Sequence, residues 1–79
     1  MNFRVLYFAS LRDEAGTDAE QVESRAGDAR GLYAELRVRH GFALGEDRLR
    51  VAINGAFAAW EQALRDGDEV VFIPPVSGG

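Results

Sequence analysis

Asp66-Gly67-Asp68-Glu69-Val70-Val71-Phe72-Ile73-Pro74-Pro75 decides how this chain folds. Asp66-Gly67-Asp68 has turn composition, and Glu69 to Ile73 is a run of β-branched and aromatic residues that reads as a strand. Pro74 and Pro75 end it, because proline has no amide to give to a ladder and its φ is fixed. Alternation along the strand places Val70 and Phe72 on one face and Val71 and Ile73 on the other. Beyond the prolines the sequence reads Val76-Ser77-Gly78-Gly79.

The rest of the chain supplies partners for that strand. Phe3 to Ala9 reads as another strand, with Phe3, Val5 and Tyr7 on one face and Arg4, Leu6 and Phe8 on the other. Ser10 to Gly16 is polar and ends in glycine, which predicts a loop or a short helical turn. Thr17 to Ser24 is a weak, polar strand suited to an edge. Asp28 is a helix N-cap, Leu32 and Leu36 follow at i, i+4, and Gly41 suits a left-handed C-cap, so a helix is predicted over 29–40. Leu49 to Ile53 is a strand with Leu49, Val51 and Ile53 inward. Asn54-Gly55 is the hairpin signal, since both positions tolerate positive φ. Ala56 to Trp60 returns as a short strand.

The expected fold is therefore α+β: a mixed sheet of about five strands with one main helix on one face. The predicted core is Phe3, Val5, Leu32, Leu36, Leu49, Val51, Ile53, Val70 and Phe72. The domain is expected to span 1–75, with 76–79 a flexible C-terminal diglycine tail. At 79 residues there is room for one domain and a small core.

Composition removes most chemistries. There is no cysteine, so no disulfide, thiol nucleophile or thiolate metal site. One histidine, His40, excludes a multi-histidine metal site; it is expected at the helix C-terminus, where positive charge is favourable. Asp66 and Asp68 are too few oxygen ligands for a calcium loop. All nine basic residues are arginine, so the chain offers no lysine for a Schiff base or an incoming isopeptide bond. The net charge of −4 without a basic stripe argues against nucleic acid. No apolar run is long enough to cross a membrane, and no signal-peptide pattern opens the chain, so the cytoplasm is the expected location.

Two features remain. Leu6, Phe8, Val71 and Ile73 share the sheet face opposite the helix. Either that face is a partner surface, or the sheet curls and hides it. The second feature is the tail. Proline holds the exit extended, and six residues from Pro74 reach roughly 20 Å. Gly78 and Gly79 carry no Cβ to obstruct entry of a terminal carboxylate into a narrow slot. A carboxylate is a poor electrophile and needs activation, most simply by ATP as an acyl-adenylate, after which sulfide attack gives a thiocarboxylate.

Val5-Leu6-Tyr7-Phe8-Ala9, Leu11-Arg12-Asp13 and Gly16, together with Asp66-Gly67-Asp68-Glu69-Val70 and Phe72-Ile73-Pro74-Pro75-Val76-Ser77-Gly78-Gly79, resemble the molybdopterin synthase small-subunit family. The resemblance runs over nearly the whole chain. It implies a ubiquitin-like β-grasp fold and a sulfur carrier rather than an autonomous enzyme. Gly79 would be adenylated by an ATP-dependent activating enzyme and converted to a thiocarboxylate. It would then donate sulfur to cyclic pyranopterin monophosphate inside the large subunit of molybdopterin synthase. The implied assembly is two small and two large subunits; the chain itself would hold no cofactor or metal, and ATP would be used by the activating enzyme. Phe8, Arg12, Phe57 and Ile73 fall where the family meets its partners, and alternation independently adds Leu6 and Val71. Gly78, Ser77, Val76, Pro75 and Pro74 would form the inserted tail. Carriers of thiamine thiazole, cysteine or tRNA thiolation pathways, and ubiquitin-like protein modifiers, share the diglycine and remain alternatives.

Overall fold

The computed structural model describes residues 1–75; the tail positions Val76, Ser77, Gly78 and Gly79 lie outside the described residues. The chain runs β1 (Asn2–Tyr7), α1 (Ala9–Ala15), β2 (Ala19–Glu23), α2 (Ala29–His40), a 3-10 turn (Glu46–Arg48), β3 (Arg50–Ile53), β4 (Ala56–Ala58) and β5 (Glu69–Ile73). The five strands form one sheet in the order β2-β1-β5-β3-β4. The central pair β1 and β5 is parallel and every other pair antiparallel, which is the β-grasp arrangement.

β5 is central because it is the most apolar strand, with Val70, Val71 and Phe72 all buried. The polar β2 takes one edge, as its composition demands, and the three-residue β4 takes the other. Asn54 (φ 51°) and Gly55 (φ 85°) make the two-residue turn between β3 and β4. Asn54 also ties that turn to the start of β5, donating to Asp68 Oδ1 and accepting from the Glu69 amide at 2.9 Å. The Asp68 carboxylate further accepts from the Arg65 amide, and those two bonds hold its pKa below the ordinary value. Asp66 accepts from the Asn2 amide. The aspartate pair is thus consumed by the turn.

Helix α2 lies across one sheet face and buries Ala29, Leu32, Tyr33 and Leu36 against Phe3, Val5, Tyr7, Val51, Val70 and Phe72. Its N-terminal amides are all engaged. Ala29 donates to Gln62 O, Arg30 to Trp60 O, Gly31 to the Asp28 side chain and Leu32 to Asp28 O. The 60–64 segment therefore occupies a position that an anion would otherwise fill. Gly31 has a local reason: a Cβ there would sit 3.2 Å from Asp28 Oδ1 and crowd the cap. Gly41 (φ 72°) closes the helix in the left-handed region.

Three expectations need correction. Ser10 to Gly16 is not a loop or a single turn: Ala9–Ala15 is a seven-residue helix, fastened by the fully buried Leu11 and ended by Gly16 at φ 77°. β1 stops at Tyr7 rather than Ala9, because Phe8 caps α1 and Ala9 turns into the left-handed region at φ 50°. Ile53, assigned to the core, is only partly buried and packs at its margin.

His40 does sit at the last turn of α2, but it also has an acid partner. Glu20 on edge strand β2 accepts from Tyr7 Oη and pairs with His40 Nε2 at 2.7 Å. The His40 ring lies edge-on to Tyr7 and beside Phe42. Burial works to raise the Glu20 pKa, but the hydrogen bonds from Tyr7 and His40 and the charges of His40 and Arg39 outweigh it and hold the carboxyl below its ordinary value. Burial first, then the bond to Glu20, pushes the Tyr7 phenol far up, so it remains a donor. A carboxylate with a depressed folded pKa adds stability above its unfolded pKa and loses it as pH falls through the folded one. Glu20→Gln is accordingly expected to cost about 1.5 kcal/mol near neutrality. The gap from the parent should close as pH falls below the carboxylate range, measured by urea unfolding at each pH. A constant gap would contradict this role.

Candidate functional site

The face of the sheet opposite α2 carries a band that crosses all five strands. Strand register places Ala19, Leu6, Val71, Ala52 and Phe57 side by side in that order. One row toward the β5 exit, Ile73 pairs with Arg50. One row the other way is polar, where Arg4 pairs with Glu69 at 3.9 Å. The apolar surface therefore leans toward the end of the sheet where the tail begins.

Exposure along this band is uneven. Phe57 is 64% exposed on the outermost strand and Phe8 is 49% exposed at the end of β1. Leu6 and Ile73 are half-buried. Val71, expected to meet a partner, is only 8% exposed. It sits on the central strand with Leu6 and Ala52 beside it in register, so it has little surface to offer. Its place in the band is right; its role is to support its neighbours.

Two hollows lie on either side of β5, one along β1 and one where the chain leaves β5. On the β1 side, Leu6, Phe8 and Arg12 line a cavity of about 250 Å³ with Arg4, Asp18 and Ala19. On the β3 side, Leu49, Arg50, Phe57, Ile73, Pro74 and Pro75 line a groove of about 510 Å³, with Asp47 and Arg48 at its rim. All the surface residues singled out from sequence thus fall into one of these hollows or, for Val71, between them. Helix α1 brings Arg12 beside Phe8. The Asn54-Gly55 turn folds Phe57 back toward the groove, where the Arg50 guanidinium lies 4.6 Å from its ring centre. Pro74 is buried and Pro75 exposed, and both line the β3-side groove, so the chain leaves the sheet there.

Arg50 was not foreseen as a site residue. Alternation puts it on the outward face, but nothing local shows that Ile73 and Phe57 are its neighbours. Among the described residues no group of three or more histidine, cysteine, aspartate or glutamate side chains is placed to hold a metal ion. No helix among them is long and apolar enough to cross a membrane.

Residues 5–79 match the ThiS family. The chain belongs to the ThiS family. It is 37% identical over 79 residues to the molybdopterin synthase sulfur carrier subunit of Escherichia coli K12, a match covering 96% of this chain and 98% of that one. Among solved structures, SAMP1 from Haloferax volcanii superposes with a TM-score of 0.82 at 28% identity, covering all of both chains. A chain from the complex of subunits 1 and 2 of the molybdopterin-converting factor of Helicobacter pylori 26695 superposes with a TM-score of 0.69 at 25% identity, again covering both chains completely. The ThiS-family match runs through Gly79, so the diglycine lies within the matched region. The fold shared with these neighbours is the ubiquitin-like β-grasp.

Proposed function

We propose that this chain is the sulfur carrier subunit of a molybdopterin synthase. The observation that carries the reading is near full-length similarity to sulfur carrier subunits of that enzyme, with the match extending through the diglycine. The groove lined by Ile73, Pro74 and Pro75 supports it, because it offers apolar surface where the tail would enter a partner.

In this reading the Gly79 carboxylate attacks the α-phosphate of ATP on a separate activating enzyme, giving an acyl-adenylate and releasing pyrophosphate. Sulfide then displaces AMP and leaves a thiocarboxylate. The tail enters the large subunit, and its sulfur attacks a carbon of cyclic pyranopterin monophosphate, displacing an oxygen substituent that leaves with the bonding pair. Water cleaves the resulting thioester-type link, returning the carboxylate and leaving sulfur on the pterin. A dithiolene needs two sulfurs, so two carriers are used per pterin, in keeping with an assembly of two small and two large subunits. The body of the domain binds and orients; catalytic groups come from the partners. The setting is the cytoplasm.

Reconstitution tests this. The chain bearing a Gly79 thiocarboxylate, mixed with the large subunit from the same organism and cyclic pyranopterin monophosphate, is expected to yield molybdopterin. No product from a large subunit that is active with another carrier would overturn the reading. Recovery of Gly79 only in isopeptide links to other proteins would redirect it to a protein modifier.

A further inference from the structure

The groove on the β3 side contains an arginine whose charge the domain leaves unanswered. Among the described residues Arg4, Arg12, Arg30 and Arg39 each lie within 4 Å of a carboxylate, and Arg37 donates to the carbonyls of Phe42 and Ala43. Among the described residues Arg50 has no such partner, nor do Arg25, Arg48 and Arg65, and of these four only Arg48 and Arg50 line this groove; Asp47 lines it too without coming within ion-pair distance. Arg50 instead stacks over Phe57, level with Ile73, beside Pro74 and Pro75. Stacking on an exposed aromatic ring holds the guanidinium in place at low entropic cost.

The tail's length decides what must cover this groove. Four residues follow Pro75, and fully extended they reach about 14 Å. A slot deep enough to receive Gly79 at its reactive end therefore has its mouth against the residues around Pro75. The mouth cannot stand off from Ile73, Phe57 and Arg50 without withdrawing the tail. Covering Arg50 removes it from water, and a desolvated charge left without a counter-charge is strongly unfavourable. The covering surface must supply acceptors, and a carboxylate answers both the hydrogen bonds and the charge.

On the carrier reading above, we infer that the Arg50–Phe57 pair is a specificity element for the large subunit. The groove takes an apolar side chain from the rim of the tail-receiving channel, and Arg50 takes a neighbouring aspartate or glutamate. Arg50 is preferred over Arg48 because it lies on the sheet face, in register with Ile73 and against Phe57. The arrangement reads the partner by charge at the root of the tail, away from the reactive end.

The test is the affinity of the full chain for the large subunit from the same organism, measured by calorimetry for the parent and for Arg50→Ala, Arg50→Lys and Arg50→Glu. Arg50 is exposed, and circular dichroism melts are expected to coincide across the set. Arg50→Ala should bind about 10-fold more weakly and Arg50→Glu about 30-fold or more, with Arg50→Lys between parent and alanine. If the parent binds and Arg50→Glu binds within about twofold of it, this inference is wrong and the carrier reading stands. If the parent fails to bind, the carrier reading fails and takes the inference with it. If deleting residues 76–79 from the isolated chain shifts the NMR signals of the Arg50 guanidinium and Phe57 ring, the groove's occupant is the chain's own tail and the inference is overturned.

Discussion

A chain lacking Gly78 and Gly79 is expected to fold as the parent does and to transfer no sulfur. Every residue of the buried core cluster lies at or before Phe72, and Pro74 is the last buried residue among those described. The melting temperature should therefore match the parent. Transfer, in contrast, loses the reacting atoms themselves. Molybdopterin formation in the reconstituted system should fall by about 1,000-fold or more, the equivalent of roughly 4 kcal/mol in barrier. Gly78→Val is the finer probe. It keeps a carboxylate on Gly79 but adds a branched side chain where the tail must pass a narrow slot, so activation or transfer should fall sharply while the fold is untouched. Transfer by the truncated chain at the parent's rate would place the reactive group elsewhere in the chain, and transfer by Gly78→Val at that rate would contradict the narrow slot.

Phe72→Ala is expected to have the opposite profile, with a large loss of stability. Phe72 is fully buried on the central strand, flanked in register by Tyr7 and Val51. Its ring lies 5.0 Å from that of Tyr33 and stacks on Trp60 at 6.0 Å. Truncation removes the ring on which helix α2 and the 60–64 segment meet the sheet. Such losses cost about 3–5 kcal/mol. A 79-residue domain has only about 4–12 kcal/mol in total. The melting temperature should drop by about 20 °C or more, read by circular dichroism. Phe57→Ala is the control, since Phe57 is exposed and its removal should change stability by less than about 0.5 kcal/mol. A Phe72→Ala protein melting within a few degrees of the parent would contradict the packing described.

What the sequence revealed, and what it hid, follows from the range of each interaction. Helix α2 was legible because its signals are local: Asp28 caps it, Leu32 and Leu36 face the sheet, and Gly41 ends it. The Asn54-Gly55 turn and strand β5 were legible for the same reason. Helix α1 was not, because Leu11 is its one buried residue and a seven-residue helix forms only when such an anchor is packed by the rest of the fold. The Glu20–His40 pair escaped notice because its members are 20 residues apart on an edge strand and a helix end. The site shows the same division. Period-two alternation correctly put Leu6, Phe8, Val71 and Ile73 on one face, yet it carries no information on which strand is central. Val71 was therefore expected to be open when its neighbours cover it. Arg50 acquires meaning only from the β3–β5 register, which sets it beside Ile73.

On the proposed function, the chemistry of this chain resides in the carboxylate of Gly79. The most direct test is the intact mass of the protein isolated from its own cells while molybdenum cofactor is being made, with fragmentation to locate any change. A population heavier by the exchange of one oxygen for sulfur is expected, with the added mass confined to Gly79. A chain carrying only an unmodified carboxylate under those conditions, or sulfur found on any other residue, would contradict it.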